Sequence, residues 1–159
     1  MSAVTKKWSH ATNSIAQMEK AVNDSSITSI ECDVLMNAEN DRPILCHPPN
    51  RESDITVATC IDMVTKEAQG GHGREILKDI KFDFKEMEAV RPTFDILKNT
   101  SLSNPRQKII ILNADILPGP GQRDAAPLDA DGFLSRCLEF IRLMEVRPIQ
   151  FTDYTCCRP

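Results

Sequence analysis

Residue types able to do acid–base or metal chemistry recur in a fixed order along the chain: His10 in H-A-T-N, Glu31 and Asp33 in E-C-D, His47 in C-H-P-P, and Asp83 with Lys85 in D-F-K. Each closes a short apolar run that reads as a β-strand, the position at which repeating βα folds assemble their sites. Residues two apart in a strand share a face. Glu31 and Asp33 therefore point one way and Ile30, Cys32 and Val34 the other. The same alternation sets Lys81, Asp83 and Lys85 against Ile80, Phe82 and Phe84. Charges on the inner face of a central strand are expensive to desolvate unless they are paired or hold a cation. Carboxylates converging from two strands supply hard oxygen ligands, which suit Mg²⁺, with Ca²⁺ as the alternative, better than zinc. A divalent ion held by Glu31, Asp33 and Asp83 could grip a phosphate oxygen. His10 and His47 could trade protons with the attacking and leaving oxygens, imidazole titrating near neutrality. Lys85 would add a fixed positive charge, and the Asn113-Ala114-Asp115 step closing a later strand is a further candidate for the pocket wall.

The elements that must position these groups follow from periodicity and punctuation. A strand at 7–10 leads through small polar residues into a helix at 15–23, and a second strand spans 27–34. A brief strand at 43–46 precedes a helix to about residue 68, capped by Ser53 or Asp54. The glycine-rich stretch at 69–73 follows a helix, which favours a helix exit over a phosphate cradle and makes His72 a loop histidine. A strand at 76–85, a helix at 87–99 with Pro92 in its first turn, and a strand at 108–113 come next. A loop at 114–130 carrying Pro118-Gly119-Pro120-Gly121 would rim the site. Asp131 or Gly132 opens a last helix to about residue 145, and 148–152 starts another strand.

Strands separated by helices predict an α/β fold with a parallel sheet built of βα repeats. Four or five such units amount to an incomplete, half-size TIM-type barrel, since a complete one takes about 250 residues. The expected organisation is a partial barrel over 1–147 and a divergent tail over 148–159, as in a C-terminally truncated product, whose open sheet edges would favour assembly with another chain.

Composition narrows the partners. A net charge of −4 without a Lys/Arg run argues against a nucleic-acid groove, and no stretch reaches membrane-spanning length. The first ten residues contain Lys6 and Lys7 with no apolar stretch behind them, which predicts a cytoplasmic chain without a signal peptide. The six cysteines lack paired C-x-x-C spacing and read as buried free thiols, apart from the vicinal Cys156 and Cys157 near the terminus.

The blocks W-S-H-A-T-N-S, I-E-C-D-V, P-I-L-C-H-P-P, S-D-I-T, I-K-F-D-F-K and L-N-A-D-I-L-P-G-P, running from Trp8 towards Phe140, resemble the signature blocks of the menorin family. More distantly they resemble the phosphodiesterase barrel superfamily of glycerophosphodiester phosphodiesterases and sphingomyelinase D, with its H-x-x-N, E-x-D, second His and D-x-K pattern. That resemblance implies an acid–base pair of His10 and His47, Mg²⁺ on Glu31, Asp33 and Asp83, and support from Asn13 and Lys85. The implied substrate is a glycerol-like or lipid phosphodiester attacked by its own hydroxyl to give a cyclic phosphate. Menorins are also tied to neuronal and extracellular interaction roles. As the alternative, the resemblance implies an extracellular, non-catalytic binding module with a protein partner.

Overall fold

The computed structural model describes residues 6–39, 41–69, 78–100, 109–117 and 127–144. They form a mixed α/β fold: β1 (Trp8–Ser9), α1 (Ile15–Asn23), β2 (Ser29–Met36), β3 (Pro43–Leu45), α2 (Val57–Gln69), β4 (Asp79–Phe84), α3 (Val90–Lys98), β5 (Ile110–Ala114) and α4 (Ala130–Leu143). The sheet order is β1-β2-β4-β5, with all three neighbouring pairs parallel. The expectation of a parallel sheet needs one correction. β3 pairs antiparallel with β2, Val34 against Leu45 and Met36 against Pro43, so it returns as a hairpin instead of completing a βα unit. Six residues separate these two strands, too few for a parallel crossover.

One face of the sheet builds the core. Ile30, Cys32 and Val34 of β2 and Ile80, Phe82 and Phe84 of β4 are at most 2% exposed. They belong to one cluster with Met18 and Ala21 of α1, Val57, Cys60 and Ile61 of α2, Phe94 and Leu97 of α3, and Phe133 and Phe140 of α4. Phe84 meets Phe94 edge-on at 5.9 Å between ring centroids and Phe133 at 5.8 Å, and Phe94 stacks on Phe140 at 4.5 Å. Such pairs add stability beyond the area they bury. Cys32, Cys46, Cys60 and Cys137 are free and buried, as expected. Burial pushes the Cys137 thiol up to about 12, because a thiolate there would have no solvent to stabilise it.

Helix α1 has the bounds that its periodicity predicts, with Ser14 Oγ accepting from Gln17 N. The other caps differ from expectation. Thr56 Oγ1 accepts from Thr59 N and opens α2, because Ser53 Oγ donates to Asn13 O and Asp54 Oδ1 accepts from Ile15 N in the first turn of α1. Asp129, not Asp131 or Gly132, caps α4 by accepting from Gly132 N, and a Cβ at position 132 would run into that same carboxylate. The helix expected at 87–99 begins as a 3-10 turn, Met87–Ala89, before α3 proper. Among the described residues no helix is long and apolar enough to cross a membrane. The glycine-rich stretch from Gly70, the Pro118–Gly121 segment, Cys156 and Cys157, and the tail at 148–159 lie outside the described residues.

Candidate metal and phosphate site

The C-terminal ends of the parallel strands meet around the end of β2, where three separate chain segments dock on its backbone. Thr12 N donates to Glu31 O at 2.9 Å, Cys46 N to Asp33 O at 3.0 Å and Lys85 N to Val34 O at 2.9 Å. These bonds deliver the residues that follow β1, β3 and β4 to one rim. Open α/β sheets bind ligands at this edge.

Register decides which side chains meet. Glu31 sits opposite Lys81, Asp33 opposite Asp83, and Asp83 in turn opposite Asn113. Glu31, Asp33 and Asp83 are 3%, 2% and 6% exposed. Each offers a carboxylate oxygen, and these oxygens all lie within 4.8 Å of one another. Two like charges directly opposed on neighbouring strands repel unless a cation lies between them. Lys85 supplies that cation, its Nζ 3.1 Å from both Asp33 Oδ1 and Asp83 Oδ2. Burial disfavours the ammonium, yet the charges of Asp83 and Asp33 outweigh it and hold the Lys85 pKa above the ordinary lysine value.

The carboxylates are held in place by amides. Asn13 Nδ2 donates to Asp33 Oδ2 at 2.7 Å while its Oδ1 accepts from Asp33 N at 3.0 Å, a two-point clamp. Asn113 Nδ2 donates to Asp83 Oδ1 at 2.8 Å. Asn13, expected to support the site, and Asn113, expected to line the pocket wall, both hold buried carboxylates in this structure. Glu31 Oε2 accepts from Ala11 N at 3.0 Å and lies 3.0 Å from His10 Nε2. Ala11 adopts φ 49, a left-handed conformation that a side-chain-bearing residue occupies only when its surroundings impose it.

The expected residues do not all converge to the same degree. His10, Asn13, Glu31, Asp33, Asp83, Lys85 and Asn113 form one connected network. Asp115 stands at its margin, half-exposed, with Oδ2 4.0 Å from Lys85 Nζ. His47 is exposed, and its recorded contact is from Nδ1 to Pro48 O at 2.6 Å. A carbonyl only accepts, so Nδ1 is the donor in this contact and Nε2 is left free of it. The bond from Cys46 N to Asp33 O ties the residue before His47 to the backbone of β2.

Two groups escaped the sequence reading. The period of two sets Lys81 on this face without assigning it a role; its Nζ is 3.5 Å from Glu31 Oε1 and 3.8 Å from Asp83 Oδ2. Glu86 ties the rim together, accepting from Met36 N at 2.6 Å and pairing with Arg51 Nη1 at 3.0 Å. A glutamate following a strand carries no sequence signal for that role.

An α/β protein with a buried carboxylate–lysine cluster at the C-terminal rim of its sheet is the class that fold and site define. Residues 2–145 match the family described as the Menorin N-terminal domain, and the chain belongs to the menorin family. It is 35% identical over 136 residues to Protein FAM151B of Homo sapiens, an alignment covering 84% of this chain and 45% of that protein. The chain thus spans about half the length of that relative. No solved structure matches it.

Proposed function

We propose that the cluster is a Mg²⁺ site of phosphodiesterase type, acting on a glycerol-like or lipid phosphodiester, on the first part of a TIM-type barrel. One observation carries this reading: three oxygen ligands, almost wholly buried, come within 4.8 Å of one another although two of them oppose each other in register. The donor set fits a hard divalent ion, since all three are carboxylates and no sulfur or ring nitrogen is among them. Glu31, Asp33 and Asp83 would hold Mg²⁺, or Ca²⁺ in its place. When bound, the ion supplies Lewis-acid stabilisation of charge developing on phosphate oxygens.

The chain's own residues do the rest. Asn13 and Asn113 fix the orientation of Asp33 and Asp83, as supporting hydrogen bonds do for ligating carboxylates. Lys85 offers a positive charge to the phosphate. His47 Nε2 is an acceptor for the proton of an attacking hydroxyl, and His10 is the second imidazole for the leaving oxygen. Asp115 lines the outer margin.

The test is turnover. A panel of glycerophosphodiesters and lysophospholipids in Mg²⁺ should be hydrolysed or cyclised by the protein, with His10→Ala and Asp83→Asn each reducing the rate by roughly a hundredfold or more. No turnover with any panel member would remove the enzymatic reading and favour the family's alternative, a non-catalytic interaction protein whose polar site is a ligand pocket.

A further inference from the structure

Lys81 faces the cluster from β4, beside Glu31 and Asp83. β4 turns Lys81, Asp83 and Lys85 to one side, and the two lysines differ in how they are held. The Lys85 side chain is 14% exposed, with contacts of 3.1 Å to two carboxylates. The Lys81 side chain is 26% exposed, and its contacts to Glu31 and Asp83 stretch to 3.5 and 3.8 Å. A close charge-assisted bond between nitrogen and oxygen is about 2.7–2.9 Å. Lys85 is therefore fastened. Lys81 is loosely held, reachable from solvent, and mounted on a flexible four-carbon stem.

Charge gives this looseness a use. Three buried carboxylates face two ammonium groups, so with the imidazole of His10 beside Glu31 in its neutral form the metal-free cluster carries one uncompensated negative charge. Asp115, half-exposed and 4.0 Å from Lys85, is screened by solvent. With a divalent ion the same set has one positive charge in excess, and a phosphodiester monoanion neutralises it. Excess charge in a buried site is costly, so this is the ligand that the loaded cluster accommodates best.

We infer that Lys81 is a substrate-positioning residue of this site: its ammonium stands between Glu31 and Asp83 in the metal-free protein, and turns to a non-bridging oxygen of a phosphodiester monoanion once those carboxylates engage a divalent ion. The inference rests on the proposed metal site and adds to it a residue that competes with the cation and cooperates with the anion.

Those two roles have opposite signs in one variant, which a merely structural lysine would not produce. Mg²⁺ binding is measured by calorimetry, and dimethyl phosphate binding to the Mg²⁺-saturated protein by phosphorus NMR. Lys81→Met should bind Mg²⁺ about three- to tenfold more tightly, because a competing positive charge is gone. It should bind dimethyl phosphate about tenfold more weakly, the size of one lost charge-assisted bond. Lys81→Arg should restore the anion to within about threefold of wild type, since the charge is kept. Lys81→Gln, which keeps a donor towards Glu31, carries the measurement should the apolar replacement unfold. Weakening of both ligands in step, or an unchanged dimethyl phosphate affinity in a variant that still binds Mg²⁺, overturns the role given to Lys81. Wild-type protein that binds no Mg²⁺ overturns the metal site itself.

Discussion

The two faces of β2 and β4 are made by the same residues in alternation, yet they are stabilised in opposite ways. On the helix-covered face, Ile30, Cys32, Val34, Phe82 and Phe84 are excluded from water and need no particular partner. On the other, Glu31, Asp33 and Asp83 are buried nearly as deeply, and each depends on named neighbours: His10 and Ala11 for Glu31, Asn13 and Lys85 for Asp33, Asn113 and Lys85 for Asp83. Apolar burial is additive and indifferent to identity, whereas a buried charge is tolerated only while its partner remains. The first face fixes the fold. The second is held by a cation, the Lys85 ammonium between Asp33 and Asp83, which is the charge that the proposed metal ion would replace.

The sharpest way to break this contrast is to strike each face once. Phe84→Ala removes the ring at the centre of the aromatic contacts and should lower stability by about 3–5 kcal/mol in denaturant unfolding, with or without Mg²⁺. Lys85→Met removes the cation between two opposed carboxylates and should cost about 3 kcal/mol. Here the loss should shrink when millimolar Mg²⁺ is added, because a divalent ion can replace the ammonium. A loss unaffected by Mg²⁺ in both variants would erase the distinction between the faces.

A smaller effect separates them by pH. Cys137, on the apolar side, has its thiol raised from an ordinary 9.0 to about 12 by burial. Its neutral form is favoured in the folded state, so the unfolded chain ionises first. The stability linked to this thiol is whole below pH 9 and is lost as pH rises from there towards about 12. Unfolding followed across that range should show a shallower decline in Cys137→Ala than in wild type. Parallel declines would mean that Cys137 is not sealed from solvent.

The contrast also explains what the sequence discloses. Alternation along S-I-E-C-D-V and I-K-F-D-F-K specifies both faces, because a period of two leaves no freedom once one side is apolar. The convergence of Glu31, Asp33 and Asp83 follows from that alternation together with parallel pairing. The direction of β3 does not, since three residues carry no signal of polarity and only the short connection to β2 fixes it. The caps of α2 and α4 are not legible in the sequence, because Ser, Asp and Thr are interchangeable as local acceptors. Which one serves is settled by tertiary demand, as when Asp54 is drawn to the first turn of α1. The looser hold on Lys81 than on Lys85 depends on fractions of an ångström that no residue pattern encodes.

Whether the carboxylates of this rim hold a divalent ion is tested most directly by a calorimetric Mg²⁺ titration of the wild-type chain beside Asp83→Asn, which removes one carboxylate charge and leaves Asp33 paired with Lys85. One ion should bind per wild-type chain, with an affinity at least about tenfold lower in the variant. Equal affinities for the two proteins, or no binding by either, would contradict the proposed metal site.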